Sequence, residues 1–202
     1  MSSHKFELAR QYAEDRLERE LSPDLRYHSV AHTRDEVVPG AEKLAGMEGV
    51  GDGSLDLLLT AAWFHDLGYV EHIQYHELIS ARIAVQVLPS FGYTRKQVEI
   101  VRSAILATAL PQSPHSRLEE ILTDADLLNL GRESFKRRNA DLRLELASFG
   151  KVYSDREWFL AQVKFLEGHR YFTASARSLG DAQKSVNITE MRKALEAATA
   201  GG

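Results

Sequence analysis

Three segments of this chain hold side chains that could bind a cation and move protons. In Tyr27-His28-Ser29-Val30-Ala31-His32-Thr33, two imidazoles stand one helical turn apart, so on a helix both rings share a face. His65-Asp66 closes an apolar run that begins near Leu55. A carboxylate there costs free energy unless it is hydrogen-bonded, exposed or neutralised, and a bound cation would neutralise it. Thr123-Asp124-Ala125-Asp126-Leu127-Leu128 sets two more carboxylates in an apolar helical stretch. Two imidazoles and two carboxylates suit a first-row divalent cation completed by water. Such an ion acidifies its water and polarises a phosphoryl oxygen. His28, too far along its helix for the same shell, is left to donate a proton to a leaving oxygen. Each segment alone has an ordinary explanation as a packed His pair, a chance dipeptide or a helix cap. The order His…His-Asp…Asp, each at a buried helical segment, carries the weight.

The elements that must position these groups read as helices throughout. Apolar residues recur three and four apart, and no stretch alternates long enough for a strand. A first helix is expected from about Lys5 to Leu21, closed by Ser22-Pro23, and a second from near Tyr27 to about Ala45, kinked at Pro39. After the glycine-rich stretch 46–54, a third runs from about Leu55 to Asp66, apolar nearly all round, with Gly68 placed to end it. Further helices are expected at about His76–Leu88, Arg95–Thr108, Leu118–Asn129 and Glu133–Ala147, then a long one from Ser154 and a final one ending near Ala197. Thr94–Gln97, Ser154–Glu157 and Asn187–Glu190 resemble capping boxes. The fold class is all-α. The expected organisation is one domain over 1–202, with the motif-bearing core at about 22–131 and the helices of 132–198 packed on it.

Composition narrows the function. With Lys plus Arg at 25 and Asp plus Glu at 29, the net charge of −4 argues against a general nucleic-acid binder, whose basic stripe would dominate the count. It accommodates a small phosphorylated substrate, which needs only a local positive site. The absence of cysteine removes disulfides, thiolate catalysis and Cys-ligated zinc. The N-terminus has no signal-peptide pattern and the apolar runs are too short to span a membrane, so a cytoplasmic location is expected. A homo-oligomer stays open.

The motifs resemble the HD-domain superfamily of metal-dependent phosphohydrolases over roughly Tyr27 to Gly131. The paired ligands of that family correspond to His65-Asp66 within Ala61-Ala62-Trp63-Phe64-His65-Asp66-Leu67-Gly68-Tyr69. His32-Thr33, followed by Val37 and Ala41, matches its first ligand segment. The Ala-Asp-x-Leu pattern of its last ligand points to Asp126 over Asp124. The resemblance thus implies an HD-type helical bundle with a C-terminal helical extension and a divalent cation (Mn, Co, Ni, Mg, Zn or Fe) on His32, His65, Asp66 and Asp126. It implies hydrolysis of a phosphate ester, with Asp66 or Asp126 orienting the attacking water. Tyr27-His28-x-x-x-His32 is also similar to a segment of cyclic-nucleotide phosphodiesterases, in which the first His is the proton donor. Nucleotides lead as substrate class through the resemblance only.

His76 resembles the position where two-metal members supply a ligand to a second ion. Those members carry further histidines, whereas Ile105-Leu106-Ala107-Thr108-Ala109 has none and His115 lies beyond in a loop. One tightly bound ion is therefore expected, with His76 and Asp124 as second-metal or phosphate contacts. Arg34, Arg82, Arg102 and Lys164 are each able to pair with a phosphate, and the sequence does not choose among them. Two rivals keep the fold: a di-iron oxygenase, which needs more histidine ligands, and a non-catalytic module that binds a nucleotide.

Overall fold

Helical periodicity becomes nine α-helices among the described residues, 3–200, of a computed structural model. They are α1 (His4–Glu20), α2 (Val38–Met47), α3 (Asp52–Phe64), α4 (His76–Val87), α5 (Arg95–Ala107), α6 (Arg117–Asp126), α7 (Phe135–Ser148), α8 (Asp155–Gly168) and α9 (Ala174–Ala200). No helix among the described residues is long and apolar enough to cross a membrane. The chain divides into two compact units. The first holds the chain to Pro23 and then His28–Asp126; the second holds Asp24–Tyr27 and the chain from Leu127.

The first unit is built around α3. Every residue from Leu57 to Phe64 is buried, because α1, α2 and α5 pack on different sides of this helix. A helix apolar all round is stable only when so enclosed. Helix α1 supplies one stripe, with Phe6, Ala9, Ala13 and Leu17 buried at helical spacing and its charged face turned outward. Helix α6 packs on α2 and α5, and α4 packs on α5. The Thr94 capping box opens α5 as expected, its hydroxyl accepting from the Gln97 backbone N–H.

Three expectations are corrected. The second helical run begins at Val30, three residues beyond Tyr27, because Tyr27 to Ser29 form bends, and its stretch His32–Val37 is a wide π-helical turn leading into α2. Pro39 sits in the first turn of α2, directly after that π-helical turn. Gly68 does not cap α3, which stops at Phe64, but lies in a 3₁₀ turn, Leu67–Val70. Asn187–Glu190 lies inside α9 and starts no helix; the Asn187 side chain instead donates to the Leu130 and Arg132 carbonyls.

The second unit packs α8 against α9 over a core of Leu127, Leu130, Phe135, Val163, Leu166 and Met191. Among its buried polar groups, Glu145 accepts from Tyr27 N at 2.8 Å and Arg138 donates to the Tyr27 carbonyl at 2.7 Å. The short turn after Leu127 crosses α9 so closely that a Cβ on Gly131 would overlap the backbone of Gly180.

His169 closes α8, and buried Lys184 donates to its Nδ1 at 3.2 Å and to its carbonyl at 3.0 Å. Burial, with the positive charges of Lys184 and Arg170, pushes the imidazole down to about 4. Between that value and the ordinary one near ~6.5 the unfolded chain takes up a proton that the folded chain refuses. The resulting stability is complete above ~6.5 and declines as pH falls towards 4. In a Trp63→Phe background, where Trp158 alone reports, the urea midpoint of this unit is expected to drop between pH 7 and pH 5. His169→Gln should flatten that drop, and an unchanged slope in the variant would refute the assignment.

Candidate metal centre

The end of α3 and the end of α6 deliver the acidic groups to one place. His65 and Asp66 follow directly on Phe64, Asp126 is the last residue of α6, and His32 opens the π-helical turn. His32, His65 and Asp66 are buried, exposed by 1%, 0% and 4%. His32 Nε2 lies 3.2 Å from Asp126 Oδ1 and 3.8 Å from Asp66 Oδ2. His65 Nε2 lies 3.2 Å from Asp66 Oδ2 and 3.5 Å from Asp126 Oδ1. One ligating atom from each of His32, His65 and Asp66 falls within 4.8 Å of the others.

The other face of each imidazole is held from behind. His32 Nδ1 is 3.2 Å from Glu36 Oε2, and His65 Nδ1 is 2.7 Å from the Ala62 carbonyl. Both Nδ1 atoms are thus engaged behind the site and both Nε2 atoms face the carboxylates, His32 Nε2 donating to Asp126 Oδ1; such backing is the usual support of a metal-binding histidine, whose Nε2 gives up its proton to the ion. His65 Nε2 and Asp66 Oδ2 are buried atoms without a hydrogen-bond partner among the described residues. Leaving such atoms unmatched is costly, and a cation between them would satisfy both. An imidazole and carboxylate donor set fits a divalent first-row ion or magnesium.

The electrostatics agree. Burial disfavours charge on His32, but Asp126, Glu36 and Asp66 outweigh it and raise the imidazole above its ordinary value. His65 is raised further, again against burial, by Asp66 and Asp126. Burial likewise opposes charge on Asp66 and Asp126, yet the surrounding histidines hold both carboxyls well below the usual carboxylate range. Among the described residues, the charged groups at ion-pair distance from these two carboxylates are all histidines.

His28 precedes the helix instead of lying on it, but its ring centroid is still 6.1 Å from His32 and 6.0 Å from His76. His76, first residue of α4, puts Nε2 3.5 Å from Asp66 Oδ1, with Glu77 Oε2 3.4 Å from its Nδ1. Asp124 is wholly buried, and neither it nor Asp126 is within the cluster of His32, His65 and Asp66, although Asp126 lies at ion-pair distance from both histidines. Residues two apart on a helix point ~200° apart, so Asp124 and Asp126 cannot face the same centre. His115 stays exposed in its loop, its N–H donating to Glu119. Arg34, Arg82 and Arg102 pair on exposed faces with Asp35, Glu71 and Glu99, and Lys164 is exposed on α8. Glu36, Tyr69 and Glu77 belong to the site without any motif to mark them. Glu36 alone had a signal, its position one turn beyond His32.

Residues 32–130 match the HD domain family. That segment belongs to the HD domain family. Its structure is similar to the crystal structure of a predicted HD superfamily hydrolase from an uncultured Thermotogales bacterium, with a TM-score of 0.62 and 19% identity over 95% of this chain and 91% of that one. Among curated proteins, none matches the chain.

Gly68 links His65-Asp66 to His76. Its N–H donates to buried Ser80 Oγ at 2.7 Å, and a Cβ added to it would overlap the His76 carbonyl. The start of α4 thus rests on the turn after Asp66 at backbone distance. Gly68→Ala is expected to destabilise the first unit by about 1–3 kcal/mol, the usual cost of overpacking. Denaturant unfolding followed by Trp63 checks this, and a variant as stable as the parent would contradict the close contact.

Proposed function

We propose that this chain is a metal-dependent phosphohydrolase that cleaves a phosphate ester of a nucleotide or another small phosphorylated metabolite. The observation that carries the reading is the pair of Nε2 atoms on His32 and His65, fixed from behind and directed at Asp66 and Asp126, with buried atoms unmatched between them. His32, His65, Asp66 and Asp126 would hold one divalent cation. When bound, that ion supplies Lewis acidity towards a phosphoryl oxygen and a lowered pKa for water.

The remaining roles fall to the chain's own side chains. Asp66 and Asp126 accept hydrogen bonds from the attacking water and orient it. His76, beside Asp66 Oδ1, donates to a non-bridging phosphate oxygen. His28, one ring away from both His32 and His76, protonates the leaving oxygen, the ordinary task of a general acid. Glu36 keeps His32 in the tautomer that offers Nε2.

Elemental analysis of protein purified without chelator is expected to find near-stoichiometric divalent metal, absent from Asp66→Ala. Retention of metal by that variant at parental affinity refutes the ligand assignment. Glu36→Ala should weaken metal affinity by about 10–100-fold, the typical effect of removing an outer-shell partner. His28→Ala should keep its metal and slow turnover of phosphate esters. Nucleotide binding without turnover under every divalent metal would instead support a non-catalytic module, and two equivalents of iron a di-iron oxygenase.

A further inference from the structure

Tyr69, three residues beyond Asp66 in the 3₁₀ turn, has no role in the scheme above. Its ring is nearly parallel to both histidines assigned to the substrate. The centroid of His76 lies 4.0 Å away at 20° and that of His28 lies 4.5 Å away at 27°. With His28 and His76 6.0 Å apart, the three rings form a compact triangle beside Asp66. The two histidines come from unrelated parts of the chain, one from the bend before the π-helical turn and one from the first turn of α4. Each therefore has its own backbone freedom, and α4 is entered through Tyr75, a non-glycine residue at φ 61°. Tyr69 is the ring that touches both, and its own position is set by the Gly68 turn packed against His76.

We propose that Tyr69 is a positioning residue that stacks against His28 and His76 together, holding the general acid and the phosphate contact in one array. This rests on the phosphohydrolase reading and adds to it a residue that touches neither metal nor substrate. Offset stacking of aromatic rings supplies directional contact beyond burial. An acid displaced by about an ångström loses up to ~100-fold in rate. The effect should therefore appear in kcat, because the rings are needed in register at the reacting ester, and little in KM.

The test compares parent, Tyr69→Phe and Tyr69→Leu, each with its metal content measured. With the p-nitrophenyl mono- or diester that the parent hydrolyses, Tyr69→Leu is expected to keep its metal and KM while kcat falls roughly 10–100-fold. Tyr69→Phe, which retains the ring, should recover most of that loss. In zinc-loaded, diamagnetic protein, the ring protons of His28 and His76 should be shifted upfield in the parent and in Tyr69→Phe, and not in Tyr69→Leu. The proposal is overturned by an unchanged kcat in Tyr69→Leu, by equal losses in both variants, or by loss of metal from Tyr69→Leu. A parent that hydrolyses no ester refutes the phosphohydrolase reading instead. The stacking is then judged on the ring protons, and unchanged histidine signals in Tyr69→Leu overturn it.

Discussion

A carboxylate at the end of a helix enclosed on every side has to be compensated, and the first unit is arranged around that requirement at Asp66. The enclosing helices remove water from α3 and stabilise it by burying its apolar surface. The same enclosure carries His65 and Asp66 into a place where charge is expensive. The compensation comes as histidines from separate elements: His65 beside Asp66, His32 from the π-helical turn and His76 from α4. Imidazoles answer a buried carboxylate differently from arginine. They can surrender their protons to an incoming cation and become its ligands, whereas an Arg–carboxylate pair would occupy the site permanently.

The site sits where elements end. Asp126 terminates α6, Asp66 follows the end of α3 and His76 begins α4. Side chains at such ends are freer to converge than those along packed helix faces, but they need other means of being fixed. Two are visible. The wide turn His32–Val37 is the kind of local distortion often found at functional sites, and it places Glu36 behind His32. The Gly68 turn, with no side chain in the way, lets the backbone of α4 approach directly. Both departures from regular helix serve the same centre.

The second unit also buries polar groups, most of them hydrogen-bonded to the backbone or to one another. Arg138 and Glu145 are buried but satisfied by the backbone of Tyr27, and Asn139 links the Trp158 indole to Gln162. These groups find partners within the protein and so serve the structure. At the metal centre the unmatched atoms of His65 and Asp66 remain directed at one another.

Much of this was legible in the residues. Helices α1, α4 and α5 end within a residue or so of their expected limits, because local periodicity and capping chemistry set them. The order of His32, His65-Asp66 and Asp126 could be read because ligating side chains keep a characteristic place relative to apolar helical runs. Other features depended on distant parts of the chain. The bend at His28, the π-helical turn before Pro39 and the uninterrupted passage of α9 through Asn187 are choices among backbone registers that lie close in local energy. Tyr69 stacked between His28 and His76 required three separate segments to meet. The sequence by itself determined the all-helical architecture and the chemistry on offer, because both are local properties of pattern and residue type. Tertiary structure alone decided which of those groups share one small, dry volume, because convergence depends on long-range packing.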